Sequence, residues 1–284
     1  MIRSDWHIHS EFSYDAALSL EIIAQAAISQ GLTRVGITDH LNFNDESFKG
    51  DLKRSSAAVK AIREKYPFMV LGVELTPLEK PEYDYIAKTG TREGYEPPVQ
   101  DKPFDIELAA TKEELMALGV QYATGASHWR VDVPFAKKLD PDRDACIREW
   151  FRQQMYLACD ERVTILGHPW YNGKGLWYED FTVIPHSMNM ELAAALKEHG
   201  KYAECNSHFT RAVKASEKYR YQYAEFLREW FEMGIPITYG SDCHNNYTDM
   251  RADAWKYLSA AGFTEGDIVE LPDTVFWGET TYTT

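Results

Sequence analysis

Near its amino terminus the chain reads Asp5-Trp6-His7-Ile8-His9, two imidazoles two residues apart at the end of a short apolar run. In a strand, alternate side chains share a face, so His7 and His9 point the same way. Paired imidazoles pack poorly but make a good start to a metal site. The same grammar recurs. Asp15 follows closely, and Asp39-His40, Gly72-Val73-Glu74, Ser127-His128, Gly167-His168-Pro169 and Ser241-Asp242-Cys243-His244 each stand at the end of a later apolar run. Any one such histidine alone reads as a hydrogen-bonded structural residue. Two features favour metal instead: the motifs run through most of the chain, and His-x-His and Asp-x-His each set two donors on one face. The expected chemistry is that of a multinuclear metallohydrolase. Imidazole and carboxylate donors suit zinc, manganese or iron and do not choose among them.

These residues need elements to hold them. Strand-like runs are expected over Ser4 to His9, Arg34 to Asp39 and Phe68 to Glu74, then ending at His128, at His168 and near Cys205, and last over Ile235 to Tyr239. Between them lie helical patterns. Ser19 caps one, with Glu21 in its first turn and Gly31 at its close. Others cover Leu52 to Lys65, Thr111 to Leu118, Asp144 to Asp160, and an amphipathic stretch from Ser216 to Gly234. About seven strand-plus-helix units imply a parallel sheet covered by helices, an α/β fold. An open sheet gathers its chemistry at one switch point. Donors on nearly every strand end meet only if the sheet closes into a barrel. One domain over 1–284 is expected, with an insertion at about 75–103. That stretch, rich in proline and too long for an ordinary loop, is read as a cover with a hairpin near Ala87 to Gly94. Phe276-Trp277 reads as a late packing segment.

Composition narrows the partners. The 284 residues are 44% apolar, enough for a large core, and the net charge is −14. Such a surface repels nucleic acid and anionic membrane, so neither is expected as a partner. No apolar run approaches spanning length, and no signal core opens the chain. Four cysteines without a Cys-x-x-Cys pair fit reduced thiols and a cytoplasmic protein.

His7-Ile8-His9-Ser10 with Asp15, Thr38-Asp39-His40, Gly72-Val73-Glu74, Ser127-His128, Gly167-His168-Pro169 and Ser241-Asp242-Cys243-His244 together resemble the polymerase and histidinol phosphatase (PHP) family. The resemblance implies a distorted seven-stranded (β/α)7 TIM-like barrel and three divalent metal ions. It would give the first metal His7, His9, Glu74 and Asp242, with Glu74 bridging to a second that adds His128 and His168. The third would take Asp15, His40 and His244. Asp15 also fits a simple turn residue, and Asp39 would point away from the site. The implied activity is that of a metal-dependent phosphoesterase acting on a small phosphorylated metabolite by attack of a metal-bridging hydroxide, with histidinol phosphate the best single compound. Hydrolysis of a phosphodiester, a cyclic phosphate or an amide at the same metals is the alternative, and a non-catalytic regulatory barrel the lesser one.

Phosphate substrates usually also meet a cationic side chain. Arg130, Lys174, Arg211 and Lys214 stand near motif ends, and Arg211 matches the region where the resemblance implies a substrate-binding arginine. His208, expected on the loop that ends the sixth strand, is a candidate proton donor or phosphate ligand, whereas His186 and His199 read as surface residues. Phe12, Phe43, Trp129, Trp170, Tyr171, Trp177 and Phe209 read either as packing at a barrel rim or as a pocket wall.

Overall fold

Seven short strands follow one another around a single parallel sheet, each hydrogen-bonded to the next in chain order. They are β1 (Ser4–Ile8), β2 (Arg34–Ile37), β4 (Met69–Thr76), β7 (Tyr122–Gly125), β8 (Ile165–Leu166), β9 (Tyr202–Asn206) and β10 (Ile237–Gly240). A short β3 (His40–Asn42) pairs separately with β4. The ring closes where Ile8 bridges Cys243, with His9 N–H donating to the Cys243 carbonyl at 3.0 Å and Asp242 N–H to the His7 carbonyl at 2.7 Å. The architecture is a seven-stranded TIM-like α/β barrel. The computed structural model describes residues 2–42, 46–80, 84, 105–128, 142–171 and 175–278. No helix among them is long and apolar enough to cross a membrane.

The helices are α1 (Leu20–Ser29), α2 (Glu46–Ile62), α3 (Lys112–Ala117), α4 (Arg143–Cys159), α5 (His186–Glu198), α6 (His208–Arg211), α7 (Glu217–Glu232) and α8 (Arg251–Ala260). The expected cap forms at Ser19, which accepts from Ile22 N–H, and Ser216 caps α7 likewise by accepting from Tyr219 N–H. α5 and α8 start without a side-chain cap and were not singled out above.

The barrel's two faces follow from period-two alternation. Val35, Ile37, Leu71, Val73, Ala203, Cys205, Ile237 and Tyr239 join the large core that also takes in the helices. The opposite face looks into the lumen. Trp6, Val70, Tyr122 and Ile165 fill its lower part, closed by Leu271 and Phe276. The Phe276 segment thus packs as expected. Tyr122 crosses the lumen to donate to the Trp6 carbonyl at 2.7 Å. Gly36 and Gly72 make room for it, since a Cβ there would lie 1.7 Å and 2.5 Å from atoms of its side chain. Above this plug the same rows of side chains continue: Val70, Gly72 and Glu74 on β4, and Tyr202, Glu204 and Asn206 on β9. β1 differs, because the register shifts between Asp5 and Ile8. That bulge lets Trp6 serve the plug while His7 still reaches the upper lumen.

Three expectations need correction. The second strand does not run unbroken to Asp39. It stops at Ile37, and β3 starts at His40. Between them the outward Asp39 carboxylate accepts from Ser10 N–H at 2.7 Å and from the hydroxyls of Ser10, Ser13 and Ser55. The strands expected to end at His128 and His168 stop at Gly125 and Leu166, so these histidines stand on the loops beyond the ladder. His208 opens α6 rather than sitting in a free loop. As for the 75–103 insertion, its flanks meet in an antiparallel pair, β5 (Leu78–Glu79) with β6 (Ile106–Glu107). The hairpin expected near Ala87 to Gly94 lies outside the described residues.

Candidate metal centre

All nine residues singled out as donors converge at the carboxyl ends of the strands. Glu74, at the top of its lumenal row and fully buried, sits at the centre. Its Oε1 lies 3.3 Å from His7 Nε2, 3.2 Å from His168 Nε2 and 3.6 Å from His128 Nε2. Its Oε2 lies 3.6 Å from His9 Nε2 and 2.5 Å from His40 Nδ1. Asp242 Oδ1 is 3.3 Å from His9 Nε2. Asp15 reaches in from a turn, its Oδ2 3.3 Å from His40 Nε2 and 3.5 Å from His244 Nε2.

Three groups have donor atoms close enough together to hold an ion: His7, His9 and Asp242; Glu74, His128 and His168; and His9, His40 and His244. The first two fall within the sets the resemblance implied. The third adds His9, whose ring lies 4.2 Å from that of His40 and 4.0 Å from that of His244. Trp170, Trp177 and Phe209 are buried in the core, whereas Tyr171 lies against the His168 ring at 5.4 Å. Arg130, Lys174, Phe43 and Trp129 lie outside the described residues.

The surroundings fix which nitrogen each ring offers. His7 Nδ1 is 2.8 Å from Glu204 Oε1, His128 Nδ1 is 3.0 Å from Thr76 Oγ1, and His244 Nδ1 donates to the Asp242 carbonyl at 3.1 Å. In each case Nε2 is left for the centre. Glu204 does more, since its Oε2 accepts from His168 N–H at 2.6 Å and from Asn206 Nδ2 at 3.0 Å. Sequence reasoning passed over Glu204. Its one signal was a carboxylate within an otherwise uncharged strand. His168 and Asp242 have φ of 25° and 53°, left-handed values that non-glycine residues adopt at a cost. Their backbone turns aim both side chains back over the lumen.

Electrostatics describe a site built for cations. Burial alone would raise the Glu74 carboxyl, but His40, His128 and His7 hold it well below its usual range. Asp242 is likewise held far down, against its burial, by His208 and His7. Burial disfavours a charge on His40, yet Glu74 and Asp15 raise it to about 10. Burial pushes His9 and His128 down to about 3, with neighbouring imidazoles adding to the effect. His9 and His128 are thereby held neutral, their ring lone pairs free to meet a cation, beside the charged carboxylates of Glu74 and Asp242. His7 Nε2 and His9 Nε2 lie only 3.2 Å apart, and the buried Glu74 Oε2 and His40 Nδ1 face each other at 2.5 Å without the alignment of a regular hydrogen bond. Divalent cations shared among these crowded nitrogens and carboxylate oxygens satisfy them together, so the donor set fits metal.

At the edge of the cluster, His208 Nε2 lies 2.7 Å from Asp242 Oδ2, and its ring stacks on Tyr171 at 4.7 Å. Arg211 Nη2 donates to the carbonyls of Ser241 at 2.8 Å and Asp242 at 3.3 Å. His186, by contrast, is exposed and pairs with Glu229.

Among solved structures, the chain is similar to histidinol phosphate phosphatase from Lactococcus lactis subsp. lactis Il1403, complexed with zinc, L-histidinol and phosphate. Identity is 17%, with 97% of this chain and 99% of that one covered, at a TM-score of 0.65. It also matches the metal-dependent tyrosine phosphatases YwqE from Bacillus subtilis and CpsB from Streptococcus pneumoniae at 14% identity, covering 93% of this chain and 89% of that one, with a TM-score of 0.45. No curated protein sequence matches. A model of the PHP domain family matches residues 5–233, and Asp242 and His244, beyond that stretch, join the same cluster where the barrel closes. The chain therefore belongs to the PHP domain family and is a hydrolase, a metal-dependent phosphoesterase.

Proposed function

We propose that the protein hydrolyses a small organic phosphomonoester at a centre of up to three divalent ions held by His7, His9, Asp15, His40, Glu74, His128, His168, Asp242 and His244. The observation that carries this reading is the crowd of imidazoles around the single buried carboxylate of Glu74. Zinc, manganese or iron bound there would lower the pKa of water to roughly 7 and offset the charge of a phosphoryl group.

Water gives its oxygen to phosphorus, the ester P–O bond breaks, and the departing oxygen collects a proton, leaving inorganic phosphate and an alcohol. His208 is the proton donor in this reading: it is tethered to Asp242 and one side of it borders open space. Arg211 braces the loop that carries Asp242 and brings positive charge beside the phosphoryl group. Histidinol phosphate is the first compound to try, because the Lactococcus enzyme was solved with L-histidinol and phosphate. A cytoplasmic setting, the simplest for a chain without a Cys-x-x-Cys pair, goes with this reading.

The test is phosphate release. Protein stripped by chelator and reloaded with zinc or manganese is expected to release inorganic phosphate from small monoesters, and His9→Ala to abolish release. A metal-loaded enzyme inert toward every monoester, or one that cleaves bis(4-nitrophenyl) phosphate faster than 4-nitrophenyl phosphate, would overturn the monoester assignment.

A further inference from the structure

A cavity of about 410 Å³ opens directly beside the donor cluster. It is lined by Tyr171, Tyr178, His208, Arg211, Val213 and Lys214, with Ala212 between. Two of these residues touch the centre: His208 through Asp242, and Tyr171 through the ring of His168. The stacked pair of Tyr171 and His208 gives the cavity a flat aromatic wall that begins at the donors. Val213 leaves 98% of its surface uncovered beside it, a large apolar side chain with nothing packed over it.

The charges are one-sided. The two lining residues with permanent charge, Arg211 and Lys214, are both positive, and no carboxylate lines the cavity among the described residues. Neither cation makes an ion pair among the described residues. In a chain with a net charge of −14 this is a local reversal of sign.

We propose that this cavity receives the alcohol part of the substrate and selects an alcohol bearing a carboxylate on a flat or apolar frame. The inference rests on the phosphomonoesterase reading and narrows it. The phosphoryl group lies over the donors, the frame lies along Tyr171, and the carboxylate meets Lys214 in the outer cavity. An ammonium in the same position, such as the amino group of histidinol, faces like charge instead. Opposite-sign charges about 4 Å apart in open water gain roughly fivefold in affinity, and like charges lose as much. Allowing for salt, the discrimination expected between anion and cation is about tenfold.

Three aryl phosphates of matched shape test this on the metal-loaded full chain: 4-carboxyphenyl, 4-methylphenyl and 4-(aminomethyl)phenyl phosphate. Their phenols leave without help from an acid, so they are lenient substrates for any phosphomonoesterase. The expected order of kcat/KM is carboxy over methyl over aminomethyl, with about tenfold between the extremes and a smaller span at high salt. Lys214→Glu, on an exposed loop, is expected to shrink the carboxy-to-aminomethyl ratio by at least tenfold. Rates within twofold of one another, or a ratio that Lys214→Glu leaves unmoved, overturn the cavity inference and leave the phosphatase reading standing. Phosphate release from none of the three overturns both.

Discussion

Glu204 ties two separate donors together. Its carboxylate takes the Nδ1–H of His7 on one oxygen and the backbone N–H of His168 on the other. The first bond selects the tautomer that points His7 Nε2 at Glu74. The second holds a residue whose φ of 25° needs outside support. Glu204→Gln keeps the shape but turns one acceptor into a donor, so it serves only one of the two partners. Zinc affinity, measured by competition with a chelating dye, is expected to fall about 10–100-fold, as for other partners of metal-binding histidines. The far-ultraviolet circular dichroism is expected to stay unchanged. Unaltered zinc affinity would contradict the positioning role. Glu204 also shows where sequence reasoning stops. His7 and His9 are visible because two identical donors at a spacing of two have few structural explanations. A lone glutamate inside Tyr202–Asn206 has no spacing to mark it, and its role exists only once the closed barrel brings His7 of β1 and the loop after β8 within its reach.

At the scale of the strands, the site depends on small residues beneath the donors. Gly36 and Gly72 yield their space to Tyr122, and a Cβ on Gly240 would lie 1.8 Å from Glu204 Oε1 and 2.6 Å from His7 Cβ. Gly36→Ala sets its methyl against the Tyr122 hydroxyl, itself bound to the Trp6 carbonyl. Overpacking of this kind costs about 1–3 kcal/mol. A fall of several degrees in melting temperature is expected, read by calorimetry, and an unchanged Tm would contradict the lumen packing described. The strands were legible in advance, because each is an apolar run that ends in donors and alternates with a helical pattern. The bulge in β1 was not legible, since the local string Asp5-Trp6-His7 looks like any strand and the register shift arises only against β2. His128 and His168 were legible as donors but not as loop residues, because an apolar run does not mark where its ladder stops; at His168 the left-handed backbone that turns the chain off the strand leaves no sign in the sequence.

At the scale of the molecule, the fold works as a cylinder with unlike ends. The lower end is sealed by Trp6, Tyr122 and the late segment holding Leu271 and Phe276. The upper end gathers the donors of the centre. Closure between β1 and β10 brings Asp242 to His7 and His9 across more than 230 residues of chain. We propose that residues 1–284 form one domain, because the donors come from both ends of the chain and only the closed ring unites them. The most direct measurement is the metal content of the purified chain after loading with zinc or manganese and desalting, by mass spectrometry, beside Glu74→Ala. The wild-type protein is predicted to retain more than one equivalent per chain, and the variant to lose most of it while keeping its circular dichroism. A wild-type chain that retains none, or a Glu74→Ala chain that retains as much as the wild type, would contradict the account.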